Sequence, residues 1–235
     1  TPSSFELQDP EHIVALRINP DGNTAAIPTA KYSMADRMVT FPATHFSRFA
    51  ISYIKKTFND LDGFEWAKKQ IEVLASKGVV CGTGPSVYNP SSHITRGDFV
   101  LLLVKALGLT AKVSGNFLDV GPSDYYYREI GVARSLGIAQ GTGGDKFNPK
   151  ARITRQDMMV VAARALRLAK KLSANGRNDA AHVFADASEI SPYALDSVAS
   201  LARDGLVTGS HSRIRPKEYS KRAETAVLIY RIYNR

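Results

Sequence analysis

One run of landmarks is written three times along these 235 residues, and it commits the chain to a repeat architecture. The copies span Phe58–Leu109, Phe117–Leu168 and Phe184–Arg235. Each opens with a Phe and, two residues on, an Asp: Phe58 and Asp60, Phe117 and Asp119, Phe184 and Asp186. An aromatic then precedes a glycine by twelve residues: Trp66 and Gly78, Tyr125 and Gly137, Tyr193 and Gly205. A second glycine follows four residues later, at Gly82, Gly141 and Gly209. Next come Tyr88-Asn-Pro90, Phe147-Asn-Pro149 and Ile214-Arg-Pro216. Each copy ends in an apolar helix that starts at Arg96, Arg155 or Arg222. A period of this size means that single units cannot bury their apolar faces alone and must share a core.

The local pattern predicts two helices per copy. In the first, Trp66, Ile71 and Leu74 are expected on one face, as are Tyr125, Ile130 and Ala133, and Tyr193, Val198 and Leu201. Gly78, Gly137 and Gly205 fall where that helix should end in a left-handed residue. In the second, offsets of 3, 6, 7 and 10 from the arginine give a core stripe: Phe99, Leu102, Leu103 and Ala106, then Met158, Val161, Ala162 and Ala165, then Thr225, Leu228, Ile229 and Ile232. The polar stretch 169–183 reads as a connector. Residues 1–57 differ: His12–Ile18 and Met38–Phe41 read as strands, with Asn19–Gly22 as a turn, and Phe46–Tyr53 as another strand or a lead into the repeats. So small a β segment is read as the tail of an upstream β domain, or as a hairpin packed on the repeat body.

Charge and chemistry narrow the function. The net charge of +9 clusters in 146–171 and in the last 25 residues, favouring anionic partners. No apolar run approaches the roughly 20 residues of a membrane helix. The single Cys81 forbids an intrachain disulfide and reads as a small buried apolar residue. The five histidines are scattered without metal-ligand spacing, so neither metal nor cofactor is expected. Thr95 with Asp98 and Thr154 with Asp157 fit the capping box; in the third copy Lys221 replaces the Thr, leaving Ser220 as the expected cap and Glu224 as the acid.

The arginine is harder to explain as structure. A positive charge in the first turn of a helix opposes the macrodipole. Combined with free N–H groups at the helix start, it makes a receptor for carboxylate or phosphate. Arg96, Arg155 and Arg222 therefore read as anion ligands; an internal ion pair with an acid of a neighbouring repeat, such as Asp60, Asp119 or Asp186, is the competing reading, and the two can hold in different copies. Gly82, Gly141 and Gly209 head loops whose amides can approach a ligand or simply turn tightly. Trp66, Tyr125 and Tyr193 offer flat faces suited to a sugar ring, or to core packing.

Thr95-Arg-Gly-Asp98, Thr154-Arg-Gln-Asp157 and Lys221-Arg-Ala-Glu224, with the landmarks before them, resemble the S-layer homology family over Phe58–Arg235. The resemblance implies a mainly α fold: three tandem helix-loop-helix repeats (58–116, 117–183 and 184–235) in a pseudo-threefold trimer around a central helical bundle, after a short N-terminal β segment. It implies a monomeric pseudo-trimer on the bacterial surface. Its role there is non-covalent anchoring to a secondary cell-wall polysaccharide whose terminal sugar, often N-acetylmannosamine, carries a pyruvate ketal. A ketal carboxylate suits the three arginines. The third copy departs most, lacking the Thr, the aromatic before its Pro and the second loop glycine. No catalysis is expected; the alternative is a glycoside hydrolase on the same polymer, which needs a pair of carboxylates across a cleft. Nucleic acid and membrane insertion are not expected, since no recognised nucleic-acid motif accompanies the charge.

Overall fold

The computed structural model describes residues 9–43, 48–173 and 183–235. It divides into two compact units, one running to Pro90 and the other from Ser91 to Arg235. The division falls between the two helices of the first copy. Phe46 and Ser47, and most of the 169–183 connector, lie outside the described residues.

In the first unit β1 (Ile13–Ile18) is the central strand of an antiparallel sheet, flanked by β2 (Thr24–Ala26) and β5 (Arg48–Tyr53). A hairpin of β3 (Lys31–Ser33) and β4 (Met38–Thr40) accompanies it. The expected turn is present, with the Gly22 N–H donating to Asn19 O at 3.0 Å. Ile13, Val14 and Ala15 are all buried, so both faces of β1 are covered at this end. Helix α1 (Glu65–Ser76) is tied to that strand start. His12 Nδ1 lies 2.9 Å from Ser76 Oγ, and Lys77 Nζ donates to the carbonyls of Ile13 and Ala30. The β segment is thus packed on the first helix of the first repeat.

The second unit holds α2 (Arg96–Leu107), α3 (Tyr127–Ser135), α4 (Arg155–Leu168), α5 (Pro192–Arg203) and α6 (Arg222–Tyr233). The second helices of the three copies form the centre: α2 packs against both α4 and α6. Each neighbouring first helix lies on the preceding copy's second helix, α3 on α2 and α5 on α4. All twelve residues of the predicted core stripe are buried. Gly78, Gly137 and Gly205 have φ of 71°, 70° and 70°, a conformation that a Cβ disfavours.

A closed ring of backbone hydrogen bonds holds the three copies together. Ile94 N–H donates to Ser220 O at 3.0 Å, Ser220 N–H to Ile153 O at 3.0 Å, and Ile153 N–H to Ile94 O at 3.3 Å. Each segment is extended because the residue after it is a helix N-cap, with ψ of 162°, 158° and 156° at Thr95, Thr154 and Lys221. This ring is the pseudo-threefold centre of the fold.

Four expectations are corrected. Cys81 is exposed rather than buried. Trp66, Tyr125 and Tyr193 are 53%, 70% and 59% exposed, not on the buried faces. Trp66 and Tyr193 lie five residues before Ile71 and Val198, a rotation of about 140° on an α-helix, which takes them off the core side; Tyr125 precedes α3, which starts at Tyr127. Ser220 does not cap α6: it is buried, and its Oγ has no hydrogen-bond partner. Glu224 Oε2 instead accepts the Lys221 N–H at 2.9 Å. The box geometry also differs in the first two copies. The Thr oxygen accepts the Asp N–H as expected, at 3.1 and 3.2 Å. The Thr hydroxyl in turn donates to the carboxylate, at 2.8 Å in Thr95–Asp98 and 2.7 Å in Thr154–Asp157.

Candidate ligand-binding site

The helix starts are not open anion receptors. Arg96 N–H donates to Ala151 O at 2.9 Å and Gly97 N–H to Pro149 O at 2.8 Å. Arg155 N–H and Gln156 N–H repeat this with Glu218 O and Pro216 O at 2.8 and 3.0 Å, and Arg222 N–H donates to Ser92 O at 2.8 Å. Carbonyls of another repeat take the donors that a helix leaves unsatisfied at its N-terminus. An anion at these helix starts would have to be held by side chains rather than by those amides.

Those groups are built into the seam between copies. Arg96 Nε donates to Phe147 O at 3.1 Å, and its guanidinium lies 4.8 Å from the Phe147 ring centre. Its Nη2 reaches Gln140 O at the long distance of 3.5 Å, beside Gly141. Arg155 Nε makes the equivalent bond to Ile214 O at 2.7 Å. Each of these two arginines thus leans on the loop of the following copy. The competing ion-pair reading is not realised for Asp119 or Asp186. Asp119 accepts the Phe147 and Asn148 N–H groups at 2.8 and 2.7 Å, and Asp186 those of Ile214 and Arg215 at 2.9 and 2.7 Å. Asp60 does the same for Tyr88 and Asn89.

The two arginines differ in electrostatics. Arg155 Nη1 lies 3.0 Å from Glu224 Oε1, with its side chain 15% exposed. Arg96 makes no ion pair among the described residues; Asp157, Tyr193 and Asp119 act on it only at longer range. Burial lowers the Arg96 pKa from its ordinary value, and those neighbours offset part of that shift. Tyr193 donates to Asp157 Oδ1 at 2.7 Å and accepts from Gln156 Nε2 at 2.7 Å. Burial, then this bond to a carboxylate, pushes its hydroxyl up to about 12, so it remains a donor across the physiological range. Tyr125 donates to Asp98 in the matching position of the preceding copy.

The loop glycines are explained by their own turns. A Cβ on Gly82, Gly141 or Gly209 would come within 2.5, 2.8 and 2.7 Å of the carbonyls of Val87, Lys146 and Arg213. It would also press on the rings of Phe58, Phe117 and Phe184 at 3.0, 3.2 and 2.9 Å. These contacts alone require glycine. The structure therefore brings Arg96, Tyr193 and the Gly141 loop to one region, and Arg155 to the Ile214 loop; Trp66 and Gly82 belong to the first unit. Sequence reasoning missed Phe147 as the seat of Arg96, and treated Asp157 and Glu224 as caps only. Their fixed two-residue offset from Arg155 and Arg222 was the available signal.

The S-layer homology domain model matches this chain at residues 57–100, 116–159 and 183–226, more than half of its length. An amylopullulanase of Thermoanaerobacterium thermosulfurigenes is 34% identical over 227 residues, 96% of this chain and 12% of that protein. The exoglucanase XynX of Acetivibrio thermocellus is 37% identical over 176 residues, 74% of this chain and 16% of its own length. The surface-layer 125 kDa protein of Lysinibacillus sphaericus is 28% identical over 178 residues, 74% of this chain and 14% of that one. The chain thus spans less than a fifth of each of these proteins. The threefold match bears out the tandem repeats and a cell-surface, cell-wall location. The chain belongs to the S-layer homology domain family.

Proposed function

We propose that this module anchors the protein bearing it to the cell wall by holding an acidic terminal sugar, a pyruvate ketal of N-acetylmannosamine, on a secondary wall polysaccharide. Arg96 is the principal anion ligand and Tyr193 the neighbouring hydroxyl and ring face for the sugar. The observation that carries this reading is the state of Arg96. Its Nε and plane are fixed by Phe147, yet among the described residues no carboxylate sits within ion-pairing distance of it. A pre-positioned guanidinium loses little freedom on gaining a carboxylate, and its fork matches that group in two bonds. The module does this without catalysis: Asp98 and Asp157 are engaged as caps and as acceptors of tyrosine hydroxyls, which suits a scaffold role. Arg155, Arg222, Trp66, Tyr125 and the loop glycines Gly82, Gly141 and Gly209 support the fold or secondary sites.

The test is retention of the module on purified wall polysaccharide, before and after chemical removal of pyruvate. Arg96→Ala should weaken binding by about 1.5–3 kcal/mol, the cost of a charge-assisted pair, or roughly tenfold to a hundredfold or more. Removal of pyruvate should weaken wild type to the same degree and leave the variant unchanged. Full binding by Arg96→Ala, or by wild type to pyruvate-free polymer, would overturn the reading.

A further inference from the structure

We infer that Glu224 is an internal ligand of Arg155 that occupies the place of an acidic sugar, so that the Arg96 region is open to the anion and the Arg155 region is self-occupied. This rests on the proposed reading of Arg96. The two regions are built alike. Each arginine starts a second helix, and each donates through Nε to a loop carbonyl of the next copy, Phe147 O or Ile214 O. In each, the acid facing the arginine is the third helical residue of that next copy: Asp157 for Arg96 and Glu224 for Arg155. The difference is one methylene, which extends the carboxylate by about 1.5 Å. Glu224 closes to 3.0 Å on Arg155 Nη1; Asp157 stays at longer range from Arg96 and spends its oxygens on Thr154 and Tyr193.

The reason for the glutamate lies in the cap. Lys221 has no hydroxyl to donate to the acid, as Thr95 and Thr154 do, and Glu224 Oε2 takes the Lys221 N–H at 2.9 Å instead. The remaining Oε1 then faces Arg155. With Arg155 only 15% exposed and Glu224 32%, solvent screens this pair less than it would one at the surface. An incoming carboxylate has to displace a tethered one whose effective concentration is high.

The experiment uses the whole chain labelled with 15N and titrated with the methyl glycoside of pyruvate-ketal N-acetylmannosamine. The same glycoside without the ketal is the control. In wild type, the amides of Gln140 and Phe147 should shift while that of Ile214 does not. Glu224→Gln keeps an oxygen for the Lys221 N–H and removes the charge; it should add saturable shifts at Arg213, Ile214 and Arg215. The reciprocal Asp157→Glu should weaken the response at Gln140 and Phe147 about tenfold or more. Thermal melts confirm that both variants are folded. Wild type responding equally at Ile214, or a folded Glu224→Gln gaining nothing there, overturns the inference while leaving Arg96 in place. No response at Gln140 in wild type, or the same response to the control sugar, removes the underlying reading and this one with it.

Discussion

Replacing Asp186 by Ala tests what holds the repeat loops that carry the site. Its carboxylate is 3% exposed and bridges two successive backbone donors, Ile214 N–H at 2.9 Å and Arg215 N–H at 2.7 Å. The segment it holds is costly to fold, because His211, Ser212 and Arg215 all have φ near +50°. Alanine leaves two donors without their acceptor at about 1–3 kcal/mol each; water will reach part of this surface loop, so about 3 kcal/mol is expected in total. For a protein of this size that is a fall of roughly 6–12 °C in Tm, read by calorimetry. Asp186→Asn should cost nearly as much, because its amide nitrogen turns a donor toward a donor. The pH dependence supplies a second check. Burial raises the Asp186 pKa, but the two N–H groups outweigh it and hold the carboxyl below its usual value. Its contribution is therefore present above the unfolded value, about 4, and is lost as pH falls through the lower folded value. The gap between wild type and Asp186→Ala should be constant from pH 7 to 5 and shrink toward pH 3. A loss below about 1 kcal/mol at pH 7, or a gap unchanged at pH 3, would refute the argument.

Further outcomes follow from the same geometry. Arg215 sits at φ 51°, where the other copies place Asn89 and Asn148 at 57° and 55°. Asparagine tolerates that conformation better, so Arg215→Asn should raise stability by about 0.5–1 kcal/mol in urea unfolding; no gain would show that the arginine is not strained there. Burial lowers the Lys77 ammonium to about 8, while the unfolded chain keeps its proton to about 10.4. Between these values the unfolded state binds the extra proton, so stability should rise with pH by up to about 1.4 kcal/mol per unit relative to Lys77→Met. Parallel curves for the two proteins from pH 8 to 10.5 would contradict this.

How much of this was legible depended on whether the cause was local. The helix-ending glycines and the stripe from Phe99 to Ile232 were readable because period and φ preference act within a few residues. The ring through Ile94, Ile153 and Ser220 was not: it joins backbone groups far apart in the chain, from Ile94 to Ile153 and on to Ser220, and no side chain records it. The same ring explains why the helix-start donors turned out to be occupied. The arginines stood out by their conflict with the helix dipole, but the loops that Arg96 and Arg155 lean on depend on which copy follows in space. The packing of β1 on α1, through His12, Ser76 and Lys77, likewise left no periodic trace.

The closed arrangement has a consequence for how the copies can diverge. Because Arg155 is seated on the next copy's loop and faces its cap acid, a change in the third repeat alters the chemistry of the second. The loss of the threonine at Lys221 is a local event: it removes the hydroxyl that engages the acid in the other two copies, and Glu224 accepts the Lys221 N–H instead. Yet the side chain long enough to make that bond also presents its other oxygen to Arg155. On the proposed reading, a substitution at the start of the third repeat's second helix and a change of ligand capacity at Arg155 are therefore the same event. The equivalence of the Arg96 and Arg155 regions cannot then be judged from the arginines alone; it is set by the reach of the acids that face them.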